Sequence, residues 1–294
     1  MPTCNLIIDS CCDLPSELVD KPGITLLEFP YFFGDTEYAD DLFQSTTAKE
    51  FYDRMRGGEF PTTAQLPLAK LVDTFTKVAQ SGEPAVYLSF TLGLSKSYDV
   101  ALMARDQVKA EYPDLELYIV DTLCAQSAQG LFTYEGIRQW ESGLSARELA
   151  DWANEARHFV NVYFTVDQLE SLAKGGRMPS SIAYVGSKLN LKPILYIAGD
   201  GTLEVKTAVR GRKKALAKIL SIYEECRDMT RPNRTIVCQG GDCAEAVDAM
   251  LAEAGKLDPE ATLIGGQIGP TIGSHIGPGS LTFAFWGKDR RLDK

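Results

Sequence analysis

The stretch "CNLIIDSCCDL", residues 4–14, indicates the fold class of this chain. Its apolar and β-branched residues predict a buried strand over 4–10, and polar residues follow the strand at once. The same form returns in "AVYLSF" (85–90) and "LELYIVD" (115–121). Helical patterns separate these strands and cover 47–57, 67–81 and 97–111. Strands alternating with helices predict an α/β fold whose mostly parallel sheet is flanked by helices.

Two further helices are predicted at the end of this first half, over about 125–141 and 145–157. Capping boxes, Thr47 to Glu50 and Ser145 to Glu148, mark two of the helix starts. Because 294 residues favour two domains over one, we place a boundary near residue 158. This gives an N-terminal α/β domain (1–158) and a C-terminal α/β domain (159–294), with a ligand site between them.

The second half has a different pattern, with strands that follow one another more closely. They are predicted at "FVNVYFTV" (159–166), "KPILYIA" (192–198), "TLEVKTAV" (202–209), "RTIVCQG" (234–240), "ATLIGGQ" (261–267) and "LTFAFWG" (281–287). The turn "AGDGTL" (198–203) joins two of these strands as a hairpin. The C-terminal domain is therefore predicted to contain a mixed or antiparallel sheet.

Composition excludes several classes of function. A formal net charge of -10 disfavours binding to nucleic acid or to anionic membranes. No apolar run approaches the roughly 20 residues of a membrane helix, and the start "MPTCNLIIDS" lacks the features of a signal peptide. We therefore expect a cytoplasmic protein without an integral membrane segment. The seven cysteines include the neighbours Cys11 and Cys12 and are expected to be reduced.

Ligands of open α/β sheets bind at the carboxyl ends of the strands, so the polar loops there are the candidate sites. They are "DSCCDL" (9–14), "FPTTAQLP" (60–67), "FTLGLSKSY" (90–98) and "GPTIGSHIGPGSL" (269–281). Asp9 and Asp13 also suit turns and helix N-caps. Thr63 and Ser95 could likewise cap the helices that follow them. The residues alone leave both interpretations open.

The side chains for several kinds of chemistry are missing from the sequence. The chain has two histidines, His158 and His275, too few for a typical zinc site, and we expect no metal. His158 is interpreted as a helix-terminal or interface residue. No G-x-S-x-G elbow and no Walker loop occurs. The glycine-rich segment around His275 could cradle a phosphate through its backbone amides.

Six motifs in order resemble the DegV family of bacterial fatty acid-binding proteins, which serve as the lipid-carrying subunit of fatty acid kinase. They are "DSCCDL", similar to D-S-x-x-D-L, "TTAQLP" to T-T-S-Q-P, "LSKSY" to L-S-G-T-Y, "LAKGGRM" to L-x-K-G-G-R-[IM], "KLNLKPIL" to L-N-[IL]-K-P-I-L, and "IGSHIGPGSL" to I-G-x-H-x-G-P-G. The similarity runs along the whole chain and implies the two-domain DegV-like fold.

The resemblance implies that Thr63, Ser95 and His275 hold the carboxylate of a fatty acid, and that Arg177 is a further pocket residue. Glycines of the last motif are interpreted as shaping the loop that carries the histidine, namely Gly273, Gly277 and Gly279. The acyl chain would enter an apolar tunnel. Candidate walls are the runs "ITLLEFPYFF" (24–33) and "IAYVGSKLNLKPILYIAG" (182–199).

Three positions depart from the family pattern. Ala64 stands where the family often has Ser, Leu66 where it has Pro, and Lys96 where it has Gly. Because Thr63 and Ser95 are retained beside these positions, we expect the changes to affect loop geometry and contact with a partner more than the class of ligand.

The resemblance implies a long-chain fatty acid-binding protein without catalytic activity of its own and without a cofactor. It would present the carboxylate to the ATP-binding subunit of a fatty acid kinase, and the acyl phosphate product would serve an acyltransferase of phospholipid synthesis. The basic stretch "RGRKK" (210–214) either faces such a partner or is a solvated helix start. An alternative is an enzyme that acts on a small carboxylate or phosphate substrate through Ser95 and His275.

Overall fold

The computed structural model describes residues 2–179, 181–182 and 190–292. The strands in this part are β1 (Asn5–Asp9), β2 (Ile24–Leu27), β3 (Pro30–Phe33), β4 (Thr36–Ala39), β5 (Thr62–Thr63), β6 (Ala85–Ser89), β7 (Leu117–Asp121), β8 (Val160–Thr165), β9 (Leu191–Ile197), β10 (Leu203–Arg210), β11 (Thr235–Gly240), β12 (Thr262–Gln267) and β13 (Leu281–Trp286). The helices are α1 (Ser16–Val19), α2 (Ala48–Arg56), α3 (Leu68–Ser81), α4 (Ser97–Glu111), α5 (Gln126–Glu141), α6 (Ala146–Ala156), α7 (Glu170–Lys174), α8 (Arg212–Cys226), α9 (Ala244–Leu257) and α10 (Pro270–Ile276).

The first sheet is parallel, with strand order β2-β1-β6-β7. Every residue of β6 is buried, as expected of a strand that is covered on both faces. Helices α4 and α6 pack against β7, and α5 packs against β1. The predicted mostly parallel sheet with flanking helices is confirmed. Both predicted capping boxes are also present, at Thr47 and at Ser145.

The second sheet is mixed and has the strand order β10-β9-β8-β13-β11-β12. Its strands pair antiparallel, except that β11 and β12 are parallel. The predicted hairpin joins β9 to β10, and the amide of Ala198 donates to the carbonyl of Thr202 at 2.8 Å across its turn. Helices α8 and α9 pack on this sheet. The prediction of a mixed sheet in the second half is confirmed.

A third sheet was not predicted from the sequence. Strands β3, β4 and β5 form a small antiparallel sheet in the order β4-β3-β5. The apolar run 24–33 is therefore not one segment: its first part is β2 of the parallel sheet, and its last part is β3. Gly34 and Asp35 connect β3 to β4, since Phe33 pairs with Thr36. A Gly-Asp pair between apolar runs is a hairpin signal that the sequence contained.

Helix α5 joins the two halves of the chain. It packs against β8, β11 and β13 of the mixed sheet and against the turn that follows β1. One hydrophobic cluster therefore includes residues of both halves, such as Ile8, Phe132 and Val162. The first and third sheets use residues up to Asp121, and the mixed sheet begins at Val160. The boundary near residue 158 remains a prediction, because a shared core does not define it.

Two further expectations concern the chain as a whole. All seven cysteines are free, as expected for reduced thiols. In the described part of the chain, no helix combines the length and the apolar character of a membrane span. The second candidate tunnel wall, 182–199, and the motif at 188–195 lie partly outside the described residues.

Candidate functional site

A cavity lies at the carboxyl ends of β1 and β6, where the loops after these strands meet α10 and the turn after α7. The space between its walls, including the open mouth, measures about 810 Å³. It is lined by Cys11, Phe29, Thr63, Ala64, Gln65, Phe90, Leu94, Ser95, Lys96, Ala125, Gln126, Leu172, Arg177, Leu203, Thr271, Ile272, His275 and Ile276. All four residues that were assigned to ligand binding from the sequence therefore contact one cavity.

Thr63 and His275 form the centre of its polar end. Thr63 lies in β5, which is held by pairing with β3 at Tyr31, and His275 lies in the last turn of α10. The Thr63 Oγ1 and His275 Nε2 atoms are 2.8 Å apart, a hydrogen bond between residues far apart in sequence. Thr63 does not cap α3, because that helix has Pro67 at its N-cap and no side-chain cap. The capping interpretation of Thr63 is therefore wrong.

His275 is neutral at pH 7. Burial and, as a smaller cause, the nearby positive charge of Arg177 lower its pKa to about 4. The Nδ1 atom is buried and has no hydrogen-bond partner among the described residues. The Nε2 atom of the imidazole therefore forms a hydrogen bond with Thr63, and the Nδ1 atom is enclosed by protein atoms. A neutral imidazole can donate one hydrogen bond to an anion without bringing a buried positive charge.

The segment that carries His275 is a helix and not the loop expected from its composition. Pro270 occupies the first turn of α10, where a missing amide hydrogen is tolerated, and the helix ends at Gly277 with φ 76°. Gly279 also has a left-handed φ, 75°. Gly273 is helical, and a Cβ there would lie 2.5 Å from Tyr52 Oη. Gly273 therefore serves close packing, and Gly277 and Gly279 serve the chain turn after α10.

Ser95 lies in the turn before α4. Its Oγ is 3.0 Å from Ser97 Oγ and accepts a hydrogen bond from the Ser97 amide at 3.2 Å. Ser97 Oγ also accepts from the amide of Leu66 at 3.1 Å. The two hydroxyls thereby connect the turn before α4 to the segment after β5. The N-cap residue of α4 is Lys96, so Ser95 supports the helix start without being its cap residue.

Arg177 follows the end of α7 and is exposed at the cavity mouth. Its Nη1 donates to the carbonyl of Gly175 at 2.6 Å, and its Nε donates to the carbonyl of Leu94 at 3.4 Å. The guanidinium makes no ion pair within the part of the chain that the structure describes. A positive charge without a carboxylate partner, beside a neutral imidazole and two hydroxyls, is suited to an anionic group.

The remaining cavity walls are mostly apolar. Phe29 and Phe90 meet edge to face with ring centroids 6.1 Å apart, and both are buried. Other apolar walls come from Leu172, Leu203, Ile272 and Ile276. The cavity therefore combines a cluster of hydrogen-bond donors with apolar walls, which suits an amphipathic ligand with an anionic head.

A family model described as "Uncharacterised protein, DegV family" matches residues 3–288. The chain belongs to the DegV family. A DegV domain-containing protein of Clostridium perfringens is 34% identical over 283 residues, which are 96% of this chain and 97% of that protein. The family assigned from six sequence motifs is thereby confirmed.

Two solved structures have the same fold. One, described as fatty acid binding of a DegV family protein from Thermus thermophilus, has a TM-score of 0.85 at 26% identity and covers 97% of this chain and 99% of its own. The other, a stearic acid-binding protein from Eubacterium ventriosum, has a TM-score of 0.86 at 26% identity and covers 99% and 100%. The predicted α/β architecture is therefore that of solved DegV proteins.

The departures from the DegV motifs have structural consequences. Leu66 is fully buried, and its amide donates to Ser97 Oγ. Proline has no amide hydrogen, so a DegV chain with Pro at this position cannot make that bond. Lys96 is exposed beside the mouth and pairs with Asp99 at 3.4 Å. Ala64 lines the cavity, where it adds no polar group.

Several lining residues were not singled out from the sequence. Gln126 has φ 57° and a buried Oε1 that has no hydrogen-bond partner among the described residues, and Thr271 lines the cavity nearby. Phe90 ends the predicted strand 85–90 and begins the candidate loop 90–98, which is the signal that could have found it. Of the apolar run 24–33, Phe29 is a wall residue.

The other candidate groups have structural roles. Asp9 is buried and accepts hydrogen bonds from the amide of Phe90 at 2.8 Å and from the Cys11 amide at 3.2 Å. Burial raises its pKa to about 6. Burial and the neighbouring Asp40 raise the pKa of Asp13 well above its ordinary value. In the described ranges no group of His, Cys, Asp and Glu side chains is arranged to hold a metal ion.

His158 and the basic stretch lie away from the residues that line the cavity. His158 is part of the short turn that follows α6, so its helix-terminal interpretation is confirmed. In "RGRKK" (210–214), Gly211 has φ 85° and α8 begins at Arg212. Arg212 donates to a carboxylate oxygen of Asp167 at 2.9 Å. Part of this stretch is therefore a helix start with an internal partner.

Proposed function

We propose that this chain binds a long-chain fatty acid in the cavity, with its carboxylate at Thr63, Ser95 and His275. The observation that carries the proposal is the 2.8 Å contact between Thr63 Oγ1 and His275 Nε2 at one end of an apolar cavity. Arg177 adds a positive charge at that end. The Thermus and Eubacterium proteins, described as binding fatty acid and stearic acid, support the same ligand class.

The two ends of the ligand contribute differently to binding. Hydrogen bonds to a charged group contribute about 1.5 to 3 kcal/mol each, so the donors fix the position of the carboxylate. Burial of each methylene contributes about 0.8 kcal/mol, so a chain of about 16 carbons gives roughly 11 kcal/mol before ordering costs. The acyl chain therefore supplies most of the affinity, and the head-group contacts supply orientation.

The proposal assigns no chemistry to this chain. The carboxylate end lies at the mouth of the cavity, beside the exposed cations Lys96 and Arg177, where a second protein can reach it. That protein is the ATP-binding subunit of a fatty acid kinase, which transfers phosphate from ATP to the carboxylate. The acyl phosphate then serves an acyltransferase of phospholipid synthesis. ATP and its metal ion belong to the kinase subunit.

The geometry does not favour the alternative enzyme. A serine nucleophile needs a hydrogen bond to its base, but the His275 Nε2 atom contacts Thr63 and the Ser95 hydroxyl contacts Ser97. The described residues contain no Ser95 to His275 hydrogen bond. An enzyme of this type would show turnover of a small carboxylate or phosphate ester by the isolated chain, and Ser95→Ala would abolish it.

Mass spectrometry of organic extracts from the purified protein tests the ligand. We expect a co-purified fatty acid and, after delipidation, saturable binding of stearate. Absence of both would overturn the fatty acid proposal. Mixing the loaded protein with the kinase subunit and ATP then tests the partner, with acyl phosphate expected only when both proteins are present. Binding of stearate without any acyl phosphate would overturn the kinase role alone.

A further inference from the structure

We propose that Gly175 is a positioning residue for His275, because the absence of its side chain leaves the space that the imidazole occupies. A Cβ at Gly175 would lie well under 3.0 Å from His275 Nδ1 and 3.2 Å from Cε1 of the same ring. Real Cβ atoms essentially never approach so closely. The effect on ligand affinity rests on the proposed function, whereas the effect on the imidazole does not.

The backbone conformation at this position does not require glycine. Gly175 has φ -74° and ψ -6°, which any residue adopts, and its amide donates to the carbonyl of Ser171 at 2.8 Å in the last turn of α7. An Ala here would carry no backbone strain. The Cβ would also lie 3.1 Å from the carbonyl oxygen of Ser171, a contact that a shift of a few tenths of an ångström relieves, so the main obstacle to a side chain is the neighbouring imidazole.

The imidazole cannot move away from a new methyl group without losing its hydrogen bond. Its Nε2 edge contacts Thr63 Oγ1 at 2.8 Å, while its Nδ1 edge faces Gly175. Helices α7 and α10 also pack against each other, which keeps the turn after α7 beside His275. His275 is thus held between Gly175 on one side and Thr63 on the other.

The same turn also positions the cation of the site. Arg177 Nη1 donates to the carbonyl of Gly175, and its Nε donates to the carbonyl of Leu94, which precedes Ser95. Gly175 therefore orients the imidazole through its missing Cβ and the guanidinium through its carbonyl. A shift of this turn would change two of the proposed carboxylate contacts together.

Gly175→Ala tests the proposal, and Gly176→Ala is its matched control. Gly176 belongs to the same turn and has φ 68°, but a Cβ there would meet nothing within 4 Å. We expect Gly175→Ala and His275→Ala each to weaken stearate binding on the order of tenfold or more, because the donor is displaced in the first variant and absent from the second. The control variant introduces backbone strain but does not contact the imidazole, so its affinity for stearate should stay within about threefold of wild type.

A double mutant separates a positioning role from general damage. In the His275→Ala background no imidazole remains to be displaced, so Gly175→Ala should have no further effect on affinity. If the Gly175→Ala variant does not fold, adding His275→Ala should restore folding, measured by circular dichroism. If the two substitutions increased the Kd for stearate by factors that multiply, or if the double variant stayed unfolded, the methyl group would conflict with something other than the imidazole. Either result would overturn the proposal.

NMR of the imidazoles gives a readout that a merely structural role would not move. The chain has two histidines, so His158 is an internal reference for His275. Gly175→Ala should shift the His275 ring nitrogens and raise its pKa toward the ordinary value, with His158 unchanged. Unchanged His275 resonances would contradict the proposal even if the wild type bound no stearate. Failure of stearate binding with shifted resonances would contradict only the proposed function.

Discussion

Replacing the hydroxyl of Thr63 by a methyl group is the most direct test of the head-group site. Thr63→Val keeps the shape and the β-branched form of the side chain, so β5 can still pair with β3. It removes the oxygen that lies 2.8 Å from His275 Nε2. A hydrogen bond to a charged group contributes about 1.5 to 3 kcal/mol, which corresponds to roughly a 10- to 150-fold increase in the Kd for a fatty acid.

The measurement is displacement of a fluorescent fatty acid analogue by stearate, from delipidated protein at pH 7.5. Thr62→Val is the matched control, because Thr62 is the other residue of β5, is exposed, and points to the opposite face of the strand. Its Kd should stay within about twofold of wild type. An equal Kd for wild type and both variants would refute the reasoning, since the Thr63 hydroxyl would then make no contact with the carboxylate.

Chain length provides an internal check on the same experiment. The hydroxyl contacts the head group and the apolar walls contact the tail, so the two contributions should add. The Thr63→Val loss should therefore be the same factor for laurate as for stearate. A loss that grew with chain length would mean that the substitution disturbs the apolar walls and not the head-group contact.

Three further predictions concern pH, the apolar wall and the cation. Burial raises the pKa of Asp40 to about 6 in the folded protein, whereas in the unfolded chain the carboxyl group loses its proton near pH 4. Ionisation of Asp40 therefore favours the unfolded state, and the stability present at low pH is lost as pH rises from about 4 to above 6. Urea denaturation should show wild type losing up to about 3 kcal/mol relative to Asp40→Asn over that range. Phe90→Ala should lower the free energy of unfolding by about 3 to 5 kcal/mol and shift the ligands found by mass spectrometry toward longer chains, because it enlarges the cavity beside Phe29. Arg177→Gln should weaken stearate binding by no more than about fivefold, and less at high salt, because the guanidinium is exposed.

Each of these predictions has an outcome that contradicts it. For Asp40, a constant difference in the free energy of unfolding between wild type and Asp40→Asn from pH 4 to pH 8 would show that the pKa of Asp40 in the folded protein is not raised. His275 changes stability in the opposite direction, because its pKa is lowered to about 4, so the comparison with Asp40→Asn is needed to isolate the carboxyl group. An unchanged set of bound ligands in Phe90→Ala would show that the Phe90 ring does not limit the length of the bound acyl chain. Salt-independent binding loss in Arg177→Gln would indicate a packing role instead of a charge.

The sequence predicted the elements that have a clear period and missed those that depend on turns. Strands such as β6 and β8 are short, mostly apolar runs, and helices such as α2 begin at a capping box, so both were found. The third sheet was missed because 24–33 was interpreted as one apolar run, whereas β2 ends at Leu27 in the parallel sheet and β3 begins at Pro30 in the small antiparallel sheet. Helix α10 was missed because glycine and proline are typical of loops. Tertiary packing makes that segment helical, with Gly273 against Tyr52.

The site could be predicted as a set of residues but not as a geometry. Thr63 and His275 are separated by 212 positions, and no local pattern relates them. The family resemblance supplied the four residues, while their hydrogen bonds, the neutral state of the imidazole and the contact at Gly175 depend on packing. Wall residues such as Phe90 and Leu203 are ordinary core residues in the sequence, because burial against a cavity and burial against protein produce the same apolar pattern.

The contacts around the cavity mouth form a continuous chain that explains why four distant segments can act as one site. Thr63 bonds His275, the His275 ring rests on Gly175, and the turn after Gly175 bonds Leu94 through Arg177. The next residue, Ser95, bonds Ser97, and Ser97 bonds the amide of Leu66, three residues after Thr63. Folding therefore orders the head-group contacts before a ligand arrives, so binding does not have to order them again. A variant in any one segment should consequently alter the orientation of the bound carboxylate more than the affinity of the tail.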